Sequence, residues 1–125
     1  MQLTFSLLPE IYAIARLDAA APMPSWPAGD FVSITRTRDE LSIVCRDDAV
    51  PRTVRADRGW RCLALHGPFA LDVTGVAAEF TRVLAAAGVS IFVIATFDSD
   101  SVLVPDRAAA RAVAALRAAG HAVQT

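Results

Sequence analysis

Residues 60–123 follow one order of patterns, strand, helix, strand, strand, helix, strand, and few folds accept it. Trp60–Leu65 reads as a strand. After the loop "HGPFALDVTG", with Asp72 the expected N-cap, Val76, Phe80, Val83, Leu84 and Ala87 fall at offsets of 4, 7, 8 and 11. That spacing is one apolar helix face, and Gly88 ends it. Ser90–Phe97 and Ser101–Val104 read as strands joined by Asp98-Ser99-Asp100. Pro105-Asp106 opens a second helix, with Ala109, Val113 and Leu116 inward and Arg107, Arg111 and Arg117 in water. Gly120 closes it, and His121–Val123 is a last short strand. The rules of connection turn this order into a four-stranded antiparallel sheet with both helices on one face. The expected class is α+β, ferredoxin-like βαββαβ, and the core should hold Phe80, Val83, Leu84, Ile91, Val93, Val113 and Leu116.

The first half is a worn version of the same order. Leu3–Leu8 and Ile11–Leu17 are apolar runs split by Pro9-Glu10. Pro22, Pro24 and Pro27 exclude a long helix over residues 20–30 and leave a short turn with Trp26 packed inward. Phe31–Thr37 and Glu40–Cys45 make a hairpin about Arg38-Asp39, with Leu41, Ile43 and Cys45 on one face. "RDDAVP" allows one helical turn, and "RTVRADR", residues 52–58, reads as an exposed connector. The fourth strand is missing, and Leu3–Leu8 is the candidate to fill its place. The expected division is therefore a partial unit over 1–58 and a complete one over 59–125.

At 54% hydrophobic and 20% charged, the chain can bury a core. Its net charge of −1 offers no field for nucleic acid or an anionic membrane. No apolar stretch approaches the roughly 18 residues of a membrane span. The N-terminus lacks the basic segment of a signal peptide, so a cytoplasmic location is expected. All 12 basic residues are arginine, which removes Schiff-base and P-loop lysine chemistry. Cys45 and Cys62 have no metal-ligand spacing and read as buried reduced thiols, and neither metal nor cofactor is expected. Nothing nucleophilic or carboxylate-paired accompanies His66 or His121 in sequence, so both take loop or strand-end roles. An acylphosphatase-like site would need an arginine in a phosphate-cradling loop, where this chain has an acid. No turnover of esters, acyl phosphates or amino acids is expected.

The segment "GWRCLALHGPFALDVTGVAAEFTRVLAAAGVSIFVIATFDSDSVLV" resembles ACT domains, specifically those of small bacterial proteins with two ACT domains. These are similar to the arginine-sensing CASTOR proteins of animal cells. The matching features are "GP" and "TG" before the first helix, "AGVSIF" after it and "FDSD" at the hairpin, with "LSIVC" and "DDAVP" in the first half. The resemblance covers about residues 30–125. It implies an amino-acid-binding regulatory module, with the ligand held between neighbouring ACT units and a homodimer that extends the sheet.

Site chemistry supports such a ligand. Its carboxylate wants backbone N–H groups at a helix N-terminus, and Thr74, Gly75 and Val76 sit at one. Its ammonium wants a carboxylate, with Asp98 first and Asp100 second, beside Thr96 and Phe97. Within one βαββαβ unit, the loop before the first helix and the middle hairpin are expected at opposite ends of the sheet. The two groups would then meet only across paired units, and the resemblance implies that Ser42, Ile43 and Val44, on an edge strand of the first unit, face the second. Plainer roles stay open: Asp98 and Asp100 as turn residues, Asp72 as a cap, Gly75 as close packing, Phe92 and Phe97 as core. A second function also stays open, a protein-interaction module whose cleft is empty.

Overall fold

The computed structural model describes residues 1–125, which divide into two compact units, Glu10–Trp60 and Met1–Pro9 with Arg61–Thr125. The expected division into 1–58 and 59–125 is not the one the backbone makes, because the first nine residues belong with the second half.

The unit of residues 10–60 is built on β2 (Tyr12–Leu17), β3 (Ser33–Arg36), β4 (Leu41–Arg46) and the first part of β5 (Arg55–Leu65). Its strand order is β3-β4-β2-β5, and the register of each neighbouring pair is antiparallel. A loop containing the three prolines replaces the first helix, and a single 3-10 turn, Asp47–Ala49, replaces the second. Ala13, Ala15, Leu41, Ile43, Cys45 and Val50 form its core, with Trp26 packed against them. "RTVRADR" is not a connector: β5 begins at Arg55. Four charged residues mask the strand, because Ala56 alone of its first four residues packs against the core. Arg58 fixes it, donating to Asp47 Oδ1 at 3.0 Å and to the carbonyls of Val50 and Pro51, while the Gly59 N–H reaches Asp47 Oδ2 at 3.1 Å.

The other unit has the helices. β1 (Thr4–Leu7), the end of β5, α1 (Val76–Ala86), β6 (Phe92–Ala95), β7 (Asp100–Pro105), α2 (Ala109–Ala118) and β8 (Ala122–Gln124) follow in chain order. The sheet runs β6-β7-β5-β1-β8, five strands where four were expected. β1 pairs antiparallel with β5 and parallel with β8, so Leu3–Leu8 does not complete the first half. The reason lies in its pattern: Leu3 and Phe5 are buried under the helices and Thr4 and Ser6 face away.

The core collects Phe5, Leu63 and Val102 from strands, Phe80, Val83 and Leu84 from α1, and Ala112, Val113 and Leu116 from α2. Phe5 meets Phe80 edge to face at a centroid distance of 6.0 Å. Both helices end as the glycines predicted. Past α1 the Gly88 N–H bonds the Ala85 carbonyl and the Val89 N–H the Leu84 carbonyl; past α2 the Gly120 N–H bonds Arg117 and the His121 N–H bonds Leu116. The expectation for β6 fails in part: Ile91 is half-buried, and Val93 is 40% exposed. β6 is the outermost strand, and the helix layer covers β7 far more fully.

His121 joins the two ends of the chain. Its Nδ1 accepts the Leu3 N–H at 3.0 Å, so the ring proton sits on Nε2 and is donated to Glu79 Oε2 at 2.7 Å. Arg82, and after it His121, holds the Glu79 carboxyl below its ordinary value of 4.5.

Two expected outcomes test this packing. Leu84→Ala removes a fully buried side chain from α1 and should cost about 2–5 kcal/mol in denaturant unfolding; a loss under about 1 kcal/mol would mean a different inward face. A depressed carboxyl binds protons less readily folded than unfolded, so it stabilises above its unfolded value, and that contribution is lost as pH falls through the folded one. Glu79→Gln should therefore flatten the fall in melting temperature below about pH 4.5. An unchanged acid slope would place the sensitivity elsewhere.

Candidate functional site

The β5–α1–β6 crossover returns β6 in the same direction as β5, so the loop leaving β5 and the hairpin leaving β6 lie at the same end of the sheet. This corrects the expectation of opposite ends. The two are bonded directly: the Phe69 N–H donates to the Asp98 carbonyl at 2.7 Å, and Ser99 Oγ donates to the Leu65 carbonyl at 2.8 Å. Gly67 completes the contact, because a Cβ there would stand 2.7 Å from the Asp98 carbonyl oxygen. Ser99 is thus a structural anchor, not a passive turn residue.

The hairpin closes tightly, with the Thr96 N–H and Oγ1 both reaching the Ser99 carbonyl, at 2.8 and 3.0 Å. Its turn is residues 96–99. Asp100 already belongs to β7, opposite Ala95. Side chains alternate along a strand, so Asp100 shares the helix-facing side with Val102 and Val104. Asp98 stands exposed at the tip. No ion pair forms at either carboxylate.

Loop and hairpin enclose a cleft of about 220 Å³. Phe69, Leu71, Val73 and Val76 line one wall; Thr96, Phe97, Asp98 and Asp100 line the other. No basic side chain lines it. Gly75 precedes α1 with φ +88° and no side-chain cap, so Asp72 is not the cap. An added Cβ at Gly75 would meet nothing within 4 Å, so the glycine serves the left-handed backbone and not close packing. The first helical bond runs from the Glu79 N–H to the Gly75 carbonyl, which leaves the amides of residues 76–78 without a helical acceptor. The apolar rim is open to solvent: Leu71 is 74% and Phe97 79% exposed. Phe97 is therefore not core.

Of the residues expected to bind ligand, Val76, Thr96, Phe97, Asp98 and Asp100 line this one cleft. Thr74 and Gly75 lie in the adjoining turn without lining it. Ser42, Ile43 and Val44 lie in the other unit on β4, which is an interior strand hydrogen-bonded to both β2 and β3 and not an edge. Ile43 packs in the core of its own unit, Val44 is buried, and Ser42 is half-buried. Phe69, Leu71 and Val73 escaped sequence reasoning; their one signal is a run of large apolar residues in a loop with neither helical nor strand period.

Both cysteines are free and buried. Burial pushes Cys62 up to about 12, against a small opposing effect of Ser101, and burial raises Cys45 as well. No group of three or more His, Cys, Asp or Glu side chains is arranged to hold a metal. No helix is long and apolar enough to cross a membrane.

The family model for the ACT domain matches residues 55–118, just over half of the chain, and finds one such domain. A second model, described as the N-terminal domain of its family, matches residues 10–53. No curated protein matches. Among solved structures, a protein from Agrobacterium tumefaciens is 44% identical over 98% of this chain and 92% of its own, with a TM-score of 0.92. A Vibrio cholerae protein described as of unknown function, possibly a transport protein, is 19% identical over 94% of this chain and 89% of its own, TM-score 0.78. The ligand-free regulatory subunit of aspartate kinase from Thermus thermophilus is 16% identical over 92% of this chain and 96% of its own, TM-score 0.63. The last two show likeness of fold.

The junction of loop and hairpin is open to test. Gly67→Ala should cost about 1–3 kcal/mol, because backbone rather than a yielding side chain meets the new methyl. It should also speed amide exchange at Phe69. A stable variant with unchanged exchange would mean the two loops are not joined there.

Proposed function

We propose, on the premise that the chain belongs to the ACT-domain family, that it is a non-catalytic regulatory module that binds a free amino acid in the cleft between the loop 69–76 and the hairpin 95–100. The observation that carries this reading is the chemistry of the two walls. One offers the uncapped N-terminus of α1, where backbone N–H groups and the helix dipole favour a carboxylate. The other offers Asp98 and Asp100, unpaired and on the side where an ammonium would lie. Phe69, Leu71, Val73 and Phe97 supply apolar surface for a side chain. Asp100, on the helix-facing side, is the more inward carboxylate, and Asp98 closes the mouth. The aspartate kinase regulatory subunit among the fold relatives agrees with a regulatory role.

The residues 10–60 are, on this reading, a second and reduced ACT-like unit. Their order β3-β4-β2-β5 is that of a βαββαβ sheet with its first helix replaced by a loop and its second by a single turn. Ser42, Ile43 and Val44 then act as its scaffold and not as ligand contacts. The exposed Leu71, Val73, Val93 and Phe97, beside the outermost strand β6, favour a homodimer in which a second copy covers this rim and the sheet is extended. The same patch supports the second reading, a protein-interaction module that needs no ligand. A cytoplasmic location fits either.

A thermal-shift panel of amino acids separates the two. At least one should raise the melting temperature, and calorimetric titration should then show Asp98→Asn and Asp100→Asn each weakening binding by about tenfold or more, since a charge-assisted hydrogen bond is worth roughly 1.5–3 kcal/mol. Asp98→Asn, at an exposed tip, should leave the melt itself nearly unchanged. If no amino acid shifts the melt, or both variants bind like the parent, the interaction module is the better account.

A further inference from the structure

The intercalation of β1 brings together side chains that are far apart in sequence. On β1, Phe5 faces the core and Ser6 the opposite side, and Ser6 pairs with Ala64 of β5 and Gln124 of β8. His66, just past β5, is held beside it by its own N–H, which bonds the Thr4 carbonyl at 2.8 Å. Ser6 Oγ and His66 Nε2 stand 2.6 Å apart, and Gln124 Oε1 lies 3.4 Å from the same hydroxyl. His66 is exposed and Ser6 half-buried, so a reagent can reach both.

We propose that Ser6 is an acyl-accepting nucleophile with His66 as its base, a reactivity separate from the amino-acid cleft. The serine hydroxyl has one proton and two acceptors. It can donate to Gln124 Oε1 or to His66; in the reactive tautomer the ring carries its hydrogen on Nδ1, and Nε2, the nearer and more basic acceptor, takes the hydroxyl proton. As Oγ attacks an acyl carbonyl, its proton passes to Nε2. The bond from the carbonyl carbon to the leaving group then breaks, and His66 hands that proton to the departing group. The products are acyl-Ser6 and the protonated leaving group, with no oxidant or reductant involved. The NH₂ of Gln124, on the same carbon as its Oε1, is a donor for the oxygen that gains charge. None of the ion pairs in the fold includes His66. With no carboxylate to orient its ring, the pair suits activated acyl groups, in thioesters, acyl phosphates and activated esters, and not amides. The chain has no lysine whose amine would intercept such a group.

The test treats the full chain with p-nitrophenyl acetate and maps the adduct by peptide mass spectrometry. One acetyl group should appear on Ser6, at least tenfold faster than on the exposed Ser90 of the same molecule. His66→Gln should slow acetylation of Ser6 by about 10²-fold, the lower end of general-base contributions, and Ser6→Ala should abolish the adduct at that site. Circular dichroism on each variant checks that the sheet is intact, and the Ser6 to Ser90 ratio in the parent stands without any variant. Equal labelling of Ser6 and Ser90, or a folded His66→Gln protein that labels Ser6 at the parent rate, would overturn the proposal.

Discussion

One backbone hydrogen bond, from the Phe69 N–H to the Asp98 carbonyl, turns two loops into one cleft. Without it the segment 66–75 would be a long excursion between β5 and α1, and the hairpin 96–99 an ordinary exposed turn. The bond is possible because the crossover places both at one end of the sheet, and because Gly67 leaves room for backbone to lie on backbone. Ser99 adds a second tie, to Leu65. The carboxylates are thereby held opposite the uncapped start of α1, and the apolar rim stays open.

A second constraint acts at the far side of the same sheet. β8 is only three residues long, and it has β1 as its partner. His121 secures this corner in a way neither neighbour could. It is the residue after the glycine that ends α2, so its backbone finishes the helix, while its ring accepts from Leu3 and donates to Glu79 on α1. One residue thus fixes a helix end through its backbone, and a strand start and a second helix through its buried ring. A buried imidazole with both nitrogens satisfied adds to the corner without the cost of an unpaired polar group.

The helical half of the fold was legible because its signals are local. The face through Val76, Phe80, Val83 and Leu84 and the stops at Gly88 and Gly120 depend only on near neighbours in sequence. What stayed hidden depends on distant partners. The place of β1 follows from pairing with residues some sixty and a hundred and twenty positions away. The start of β5 was concealed by charged side chains flanking the one residue, Ala56, that packs on the core, and Val93 was misjudged because its pattern does not tell an outer strand from a central one. Five of the ten expected binding residues share the cleft. Ser42, Ile43 and Val44 were read as an edge because nothing in "LSIVC" reveals that strands pair on both its sides. Phe69, Leu71 and Val73 lacked any periodic signal, and the closeness of Ser6 to His66 is wholly a product of strand order.

The position of β1 has a consequence for how the chain is made. β1 is made before either of its partner strands, and the bond from Leu3 to the His121 ring spans 118 residues. Its partner in β5 is itself about sixty residues away. Until β5 is made, Leu3, Phe5 and Leu7 have no strand to join, and β8 follows only after both helices. Such long-range pairing raises contact order and slows folding, since loop-closure entropy is lost before any contact repays it. The strand pairs of residues 10–60 all lie within 48 positions of each other, so they close smaller loops than β1 does with β5 and β8.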